Sequence, residues 1–227
     1  MSEARSLEIV GKMEALARKY HAGQFRKDGK TSYIEHPAAV VARLRRWGVD
    51  ESSGEDDAVS LAVAWGHDLL EDTQIPTGEI LGIGVLGERV LAGIRMLTFA
   101  PVPDAGEKMQ RELEKATYIR FVARSASPEI LAVKIADRLC NTEDFLSGWG
   151  KRKALVYLYK GAALIDSIHR LDSFNNGKCF HSPIRETCTK DFLSVLSRLL
   201  DDVEDNVSLI SYFRSMGLSE DEIRNRV

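Results

Sequence analysis

Apolar residues return at steps of three and four along most of this chain, in blocks separated by polar or glycine-rich stretches. Leu7, Val10, Met13, Ala17 and Tyr20 form the first block, and the spacing predicts an amphipathic helix over 5–22 that Gly23 ends. Pro37 suits the first turn of a second helix, with His36 just before it and Val40, Val41 and Leu44 inward, running to Trp47. A third helix starts near Asp57 and continues through Ala58, Leu61, Ala62, Val63, Ala64, Trp65, Leu69 and Leu70. Thr77 caps a short helix, and Val90, Leu91, Ile94 and Leu97 mark another over 88–98. Further helices are predicted over 107–124, from Pro128 onward, over 151–171 and over 189–214. A last one begins at Ser219, where Glu222 completes a capping box.

The intervening stretches are polar: GQFRKDGKTSYIEHP, GVDESSGED, APVPDAGE, and residues 172–188 with an Asn175-Asn176-Gly177 turn. Asp28-Gly29 is a turn signal, so a very short hairpin is expected within 24–34. No run alternates with period two. The expected fold class is therefore all-α, a globule of about eight to ten helices. One domain over 1–227 is expected, with a core over 5–170 and a C-terminal helical extension over 172–227.

The totals narrow the picture modestly. At 227 residues and 44% hydrophobic content, the chain can bury a large core. A net charge of -3 argues against a broad nucleic-acid-binding face. Cys140, Cys179 and Cys188 make no CxxC pair, which fits a reducing compartment. The N-terminus lacks the unbroken apolar core of a signal peptide, and no apolar run is long enough to span a bilayer, so a soluble cytoplasmic protein without a membrane partner is expected. Gly82, Gly84 and Gly87 are not spaced as a dinucleotide-binding loop. Oligomeric state stays open.

The chemistry concentrates in WGHDLLEDT, Trp65 to Thr73. In a helix residues four apart share a face, so His67 pairs with Glu71 and Asp68 with Asp72. An apolar helix does not carry three carboxylates and an imidazole inward unless they are paired or hold a metal. Two other stretches supply partners: His36 in YIEHP and Asp137 in KIADRLCNT. His36, His67, Asp68 and Asp137 make a set of two imidazoles and two carboxylates, without thiols, that suits Mn²⁺, with Fe²⁺ or Zn²⁺ as alternatives. Glu71 and Asp72 then stand as neighbouring acids or bases. Each residue also has a plainer reading. His36 before a proline can be a cap, Asp137 can pair with Arg138, and Arg26, Lys27 and Lys30 can be a solvated loop.

Three blocks in order, HAGQFRKDGKTSYIEHP, GHDLLEDT and VKIADRLCNT, resemble the HD-domain metal-dependent phosphohydrolases, and within them the hydrolase domain of the RelA/SpoT family. The resemblance spans about residues 5–170 and is to the stand-alone small alarmone hydrolases, including the metazoan type. It implies an HD-domain helical globule and Mn²⁺-dependent removal of the 3′-pyrophosphate from ppGpp or pppGpp, giving GDP or GTP. It implies that His36, His67, Asp68 and Asp137 hold the ion, and that Glu71 and Asp72 position and deprotonate water. Arg26, Lys27, Lys134 and Asn141 would meet the nucleotide, while Gln24 and Tyr33 shape the pocket wall. His21, His169 and His181 read as structural.

The chain departs from the family at Cys140, where His is usual, and at Thr142-Glu143-Asp144. These departures motivate an alternative, an HD phosphohydrolase acting on another nucleotide phosphate ester such as NADPH. A third reading is a nucleotide-binding regulator without catalysis.

Overall fold

The computed structural model describes residues 3–100, 108–148, 157, 161, 164–165 and 182–200. The helix expected over 151–171, the Asn175-Asn176-Gly177 turn, the capping box at Ser219, His169 and His181 fall largely or wholly outside these residues. The helices among the described residues are α1 (Glu3–Tyr20), α2 (Glu35–Arg46), α3 (Glu55–Gly66), α4 (Leu69–Asp72), α5 (Thr77–Leu81), α6 (Gly87–Leu97), α7 (Lys108–Ser125), α8 (Pro128–Gly148) and α9 (Ser182–Leu200). The all-α expectation holds among them.

α3 is the axis. Every residue from Ala58 to Gly66 is buried, which is why its apolar positions run all round rather than along one stripe. α1 packs along it, and α2, α6 and α8 contact it from other sides. Val10, Met13 and Ala17 face this core from α1, but Leu7 stays 47% exposed and Ile9 takes the inward place instead. Gly66 sits where α1, α3 and α6 meet: a Cβ there would come within 2.5 Å of Met13 Cε and 2.7 Å of Ile94 Cδ1. On α6, Val90, Leu91, Ile94 and Leu97 are all buried, as their spacing predicts.

Four boundaries differ from expectation. The helix through the WGHDLLEDT stretch is not continuous: α3 stops at Gly66, and α4 starts at Leu69. His67 and Asp68 keep right-handed backbone angles, so the turn between them costs little and leaves no compositional mark. α2 begins at Glu35, so His36 is inside its first turn rather than before it. Thr77 is the first residue of α5, and Pro76 caps it without a side-chain bond. α9 begins at Ser182, well before the expected 189, and Pro183 occupies its first turn.

The polar stretch before α2 forms a single antiparallel bridge between Phe25 and Ser32. The Asp28 carboxylate accepts hydrogen bonds from the Lys30 and Thr31 amides and the Thr31 hydroxyl, and Gly29 takes φ 68° at the tip. Cys188, Phe192 and Val195 of α9 belong to the same buried cluster as α2, α3 and α8, so part of the expected C-terminal extension shares the main core. No helix among the described residues is long and apolar enough to cross a membrane.

Candidate metal and hydrolytic site

α3 ends pointing at the site. His67, its C-cap residue, is buried and its Nδ1 lies 2.8 Å from the Ala64 carbonyl. A carbonyl has no proton, so Nδ1 donates and Nε2 is turned toward His36, Asp68 and Asp137. His36 Nε2 lies 3.3 Å from His67 Nε2, 3.7 Å from Asp68 Oδ2 and 3.2 Å from Asp137 Oδ1. His67 Nε2 lies 3.2 Å from Asp68 Oδ2 and 3.7 Å from Asp137 Oδ1. The two nitrogens and Asp68 form one group whose ligand atoms all lie within 4.8 Å of one another. Asp137 approaches that group through the two imidazoles.

These separations fit a shared ion. Ligand atoms about 2.1 Å from one centre stand roughly 3.0–3.5 Å apart in octahedral or tetrahedral arrangements. The electrostatics agree. Burial opposes a charge on His67, but Asp68 and Asp137 outweigh it and push the imidazole up to about 10. Asp68 and Asp137 are both held well below the usual carboxylate range despite burial, Asp68 by His67 and Asp137 first by Lys134. The carboxylates favour positive charge where the nitrogens meet; a cation bound there would displace the His67 proton, so its affinity would fall as pH falls. The site is a candidate divalent-metal centre on this donor set.

Asp137 is held from its own helix. Lys134 Nζ pairs with Oδ2 at 3.0 Å and Asn141 Nδ2 donates to Oδ1 at 2.6 Å. All three lie on α8 at steps of three and four, on one face. Lys134 thus has a protein partner before any phosphate arrives, and it sits under the Tyr118 ring at 5.7 Å. Arg138, expected to pair with an acid, instead donates to the Tyr157 carbonyl at 2.6 Å and lies over the Tyr157 ring.

Glu71 and Asp72 are placed differently from each other. Glu71 accepts a hydrogen bond from the Phe99 amide at 3.2 Å, so the segment after α6 fixes it, and desolvation pushes its carboxyl above the ordinary value. Asp72 faces Tyr33. Tyr33 Oη also meets Asp68 at 2.7 Å, and burial together with Asp68 pushes the phenol far above its usual range. Tyr33 therefore remains a proton donor. Its ring stacks on His21, with centroids 4.6 Å apart, and His21 Nδ1 lies 2.8 Å from Gln24 Oε1. Gln24 in turn donates to the Asp72 carbonyl. Sequence reasoning gave Tyr33 only a wall role; its position three residues before His36 was the available signal.

Arg26 and Asn141 meet at the rim: Arg26 Nη2 donates to Asn141 Oδ1 at 2.8 Å, and the guanidinium lies over the Tyr33 ring at 5.6 Å. Lys27, next to it, is exposed. The four residues expected to meet a nucleotide thus lie in two groups, one at the rim and one, Lys134, behind Asp137.

The departures at 140–143 point elsewhere. Cys140 is buried against Arg43, whose Nη1 donates to Sγ at 3.4 Å, and burial pushes the thiol up to about 12. Thr142 is fully buried and bonds to the Arg138 carbonyl. Glu143 pairs with Arg43 at 2.7 Å. The Arg43 guanidinium, itself buried, also lies 3.1 Å from Asp191 of α9, and Trp47 Nε1 donates to the same carboxylate. These residues tie α2, α8 and α9 together instead of lining the site. The Asp144 side chain lies outside the described residues.

The solved structure of a metazoan ortholog of SpoT that hydrolyses ppGpp matches this chain with a TM-score of 0.57 and 21% sequence identity, covering 82% of this chain and 94% of that one. The chain shares the fold of that structure. Sequence relatives point the same way. A probable guanosine-3′,5′-bis(diphosphate) 3′-pyrophosphohydrolase of Synechocystis is 32% identical over 147 residues, covering 64% of this chain and 18% of the relative. A GTP pyrophosphokinase of Streptomyces antibioticus is 30% identical over 146 residues, covering 61% of this chain and 15% of its own length. The chain spans less than a fifth of the length of these curated relatives. No family model matches the chain.

Proposed function

We propose that this protein hydrolyses the 3′-pyrophosphate of ppGpp and pppGpp, releasing pyrophosphate and GDP or GTP, with Mn²⁺ as its ion. The observation that carries the reading is the meeting of His36, His67 and Asp68 in one group, with Asp137 Oδ1 3.2 Å from His36 Nε2 and Asn141 bonded to both Asp137 and Arg26. His36, His67, Asp68 and Asp137 would hold the ion, and a divalent ion so held acidifies water and polarises a phosphoryl P–O bond. Two imidazoles with two carboxylates suit Mn²⁺, with Fe²⁺ and Zn²⁺ the nearest competitors.

The chain's own residues divide the remaining work. Glu71, its carboxyl raised by desolvation and anchored by the Phe99 amide, takes the proton of the attacking water. Water attacks the phosphorus bound to the ribose 3′ oxygen, that P–O bond breaks, and the 3′ oxygen leaves with a proton. Arg26 offers a flat guanidinium for a base or a phosphate, and Asn141 offers an amide to the ribose. Lys27 adds a charge at the mouth. Lys134 holds Asp137 and offsets negative charge behind it.

The test is purified protein with Mn²⁺ and ppGpp, followed for pyrophosphate and GDP, beside a panel that includes NADPH. Stoichiometric release of both products supports the reading. Demonstrably bound metal with no turnover of ppGpp refutes it. Cys140 and Glu143 face Arg43 and Thr142 bonds the Arg138 carbonyl, so the motive for a different nucleotide ester rests on Asp144.

A further inference from the structure

The Tyr33 side chain touches both Asp68 and Asp72. Its hydroxyl lies 2.7 Å from Asp68 Oδ2 and 2.5 Å from Asp72 Oδ2. A phenol has one proton, so it donates to one carboxylate at a time, and the other then faces an oxygen lone pair without a proton between. A phenol oxygen between two carboxylates is eased by positive charge beside either of them. The site supplies a place for it: Asp68 Oδ2 is also the oxygen that lies 3.2 Å from His67 Nε2 and 3.7 Å from His36 Nε2. A cation on Asp68 satisfies that oxygen and leaves the phenol proton for Asp72.

We infer that Tyr33 is a positioning residue that couples occupation of the ion site at Asp68 to the placement of Asp72. The inference rests on the proposed reading of the site, and it adds a division within the acidic pair. Glu71 is anchored by backbone, through Phe99, independently of the ion. Asp72 is anchored through Tyr33 and takes its working orientation once Asp68 is engaged. The ring is well built for this. It is stacked on buried His21 on one side, and Gln24 joins His21 to the Asp72 backbone. The hydroxyl therefore has little freedom to move away.

Tyr33→Phe isolates the hydroxyl because the ring and its stack on His21 stay. Isothermal titration of the protein with Mn²⁺ alone is the first readout, and it needs no substrate. The expected result is affinity lower on the order of ten-fold, the usual size of losing a group that orients a metal ligand. The second readout is a double-mutant cycle with Asp72→Asn on ppGpp at saturating Mn²⁺. Y33F is expected to lower kcat on the order of ten-fold with KM within about two-fold, and to add nothing to the D72N loss. Unchanged Mn²⁺ affinity, or losses that add in the double variant, overturns the inference and leaves Tyr33 as pocket wall. Should Y33F fail to fold, D72N alone carries the test. Its weaker pull leaves the phenol proton on Asp68, so Mn²⁺ affinity falls several-fold if the coupling exists and stays constant if it does not. A wild-type protein that binds Mn²⁺ but ignores ppGpp defeats the proposed function, while the titration still decides the role of Tyr33.

Discussion

The Nδ1 atom of His67 donates to the carbonyl of Ala64, the residue three positions earlier on the same helix. That bond decides the tautomer: the ring nitrogen left for a metal is Nε2, the one that faces His36, Asp68 and Asp137. The buried helix α3 thus orients the His67 ring with its own backbone.

His67→Ala is therefore expected to lose the metal while keeping the fold. α3 ends at Gly66, so the substitution falls outside the helix, although it empties the buried place of the ring. Elemental analysis of purified protein, with Mn²⁺ titration, should show affinity reduced by about 100-fold or more, since a ligand is lost rather than an orienting neighbour. Full metal retention would remove His67 from the donor set.

Glu71→Gln should behave in the opposite way. Mn²⁺ affinity should stay within about two-fold, because Glu71 is anchored to Phe99 and not to the ligands. Turnover should fall by about 10²–10⁴, the range for a positioned general base. The pH profile gives the sign. A base works only when unprotonated, and desolvation raises this carboxyl above its ordinary 4.5. Activity should therefore decline as pH falls through a value above 4.5, and this acid limb should be absent from the residual rate of E71Q. An unchanged acid limb in the variant would assign it to another group.

At the rim, Arg26→Lys is predicted to raise KM on the order of ten-fold with a smaller effect on kcat. Arg26 both bonds Asn141 and lies over the Tyr33 ring, and a lysine reproduces neither the fork nor the flat stacking surface. Steady-state kinetics separate the two parameters; a loss confined to kcat would place Arg26 nearer the reacting phosphorus.

The site was legible because its polar residues interrupt apolar helices. His67, Asp68 and Asp137 stand in stretches where an unpaired charge is too costly, and that cost is visible in the sequence. α6 was legible for the same reason in reverse, since its four apolar positions keep a strict helical step and all are buried. The break at His67–Asp68 was not legible, because both residues keep helical backbone angles. The early start of α9 was hidden by Pro183, which reads as a breaker until its place in a first turn is known. Tyr33 and Arg43 escaped for a third reason. Their partners lie far along the chain: 35 and 39 residues for Tyr33, 97 and 100 for Arg43. Periodicity reports which face is inward; it carries no information on which distant residue waits there.

Arg43 yields the stability prediction. Its side chain is 2% exposed and lies against Glu143 at 2.7 Å and Asp191 at 3.1 Å, with Cys140 beside it. Removing a buried partner leaves charges unpaired, which costs about 3–5 kcal/mol. Arg43→Met should therefore lower the free energy of unfolding by roughly that amount, read from the denaturant midpoint at constant m-value. Asp191→Asn should cost less, since this carboxylate is a quarter exposed and Glu143 still faces the guanidinium. Both changes lie outside the ion site, so Mn²⁺ affinity measured below the unfolding transition should match the wild type. If R43M were as stable as wild type, the packing of Cys188, Phe192 and Val195 and the Trp47–Asp191 bond would suffice to hold α9. If it bound Mn²⁺ weakly while fully folded, the cluster would reach the ligands through α8, where Cys140 and Asp137 are one turn apart.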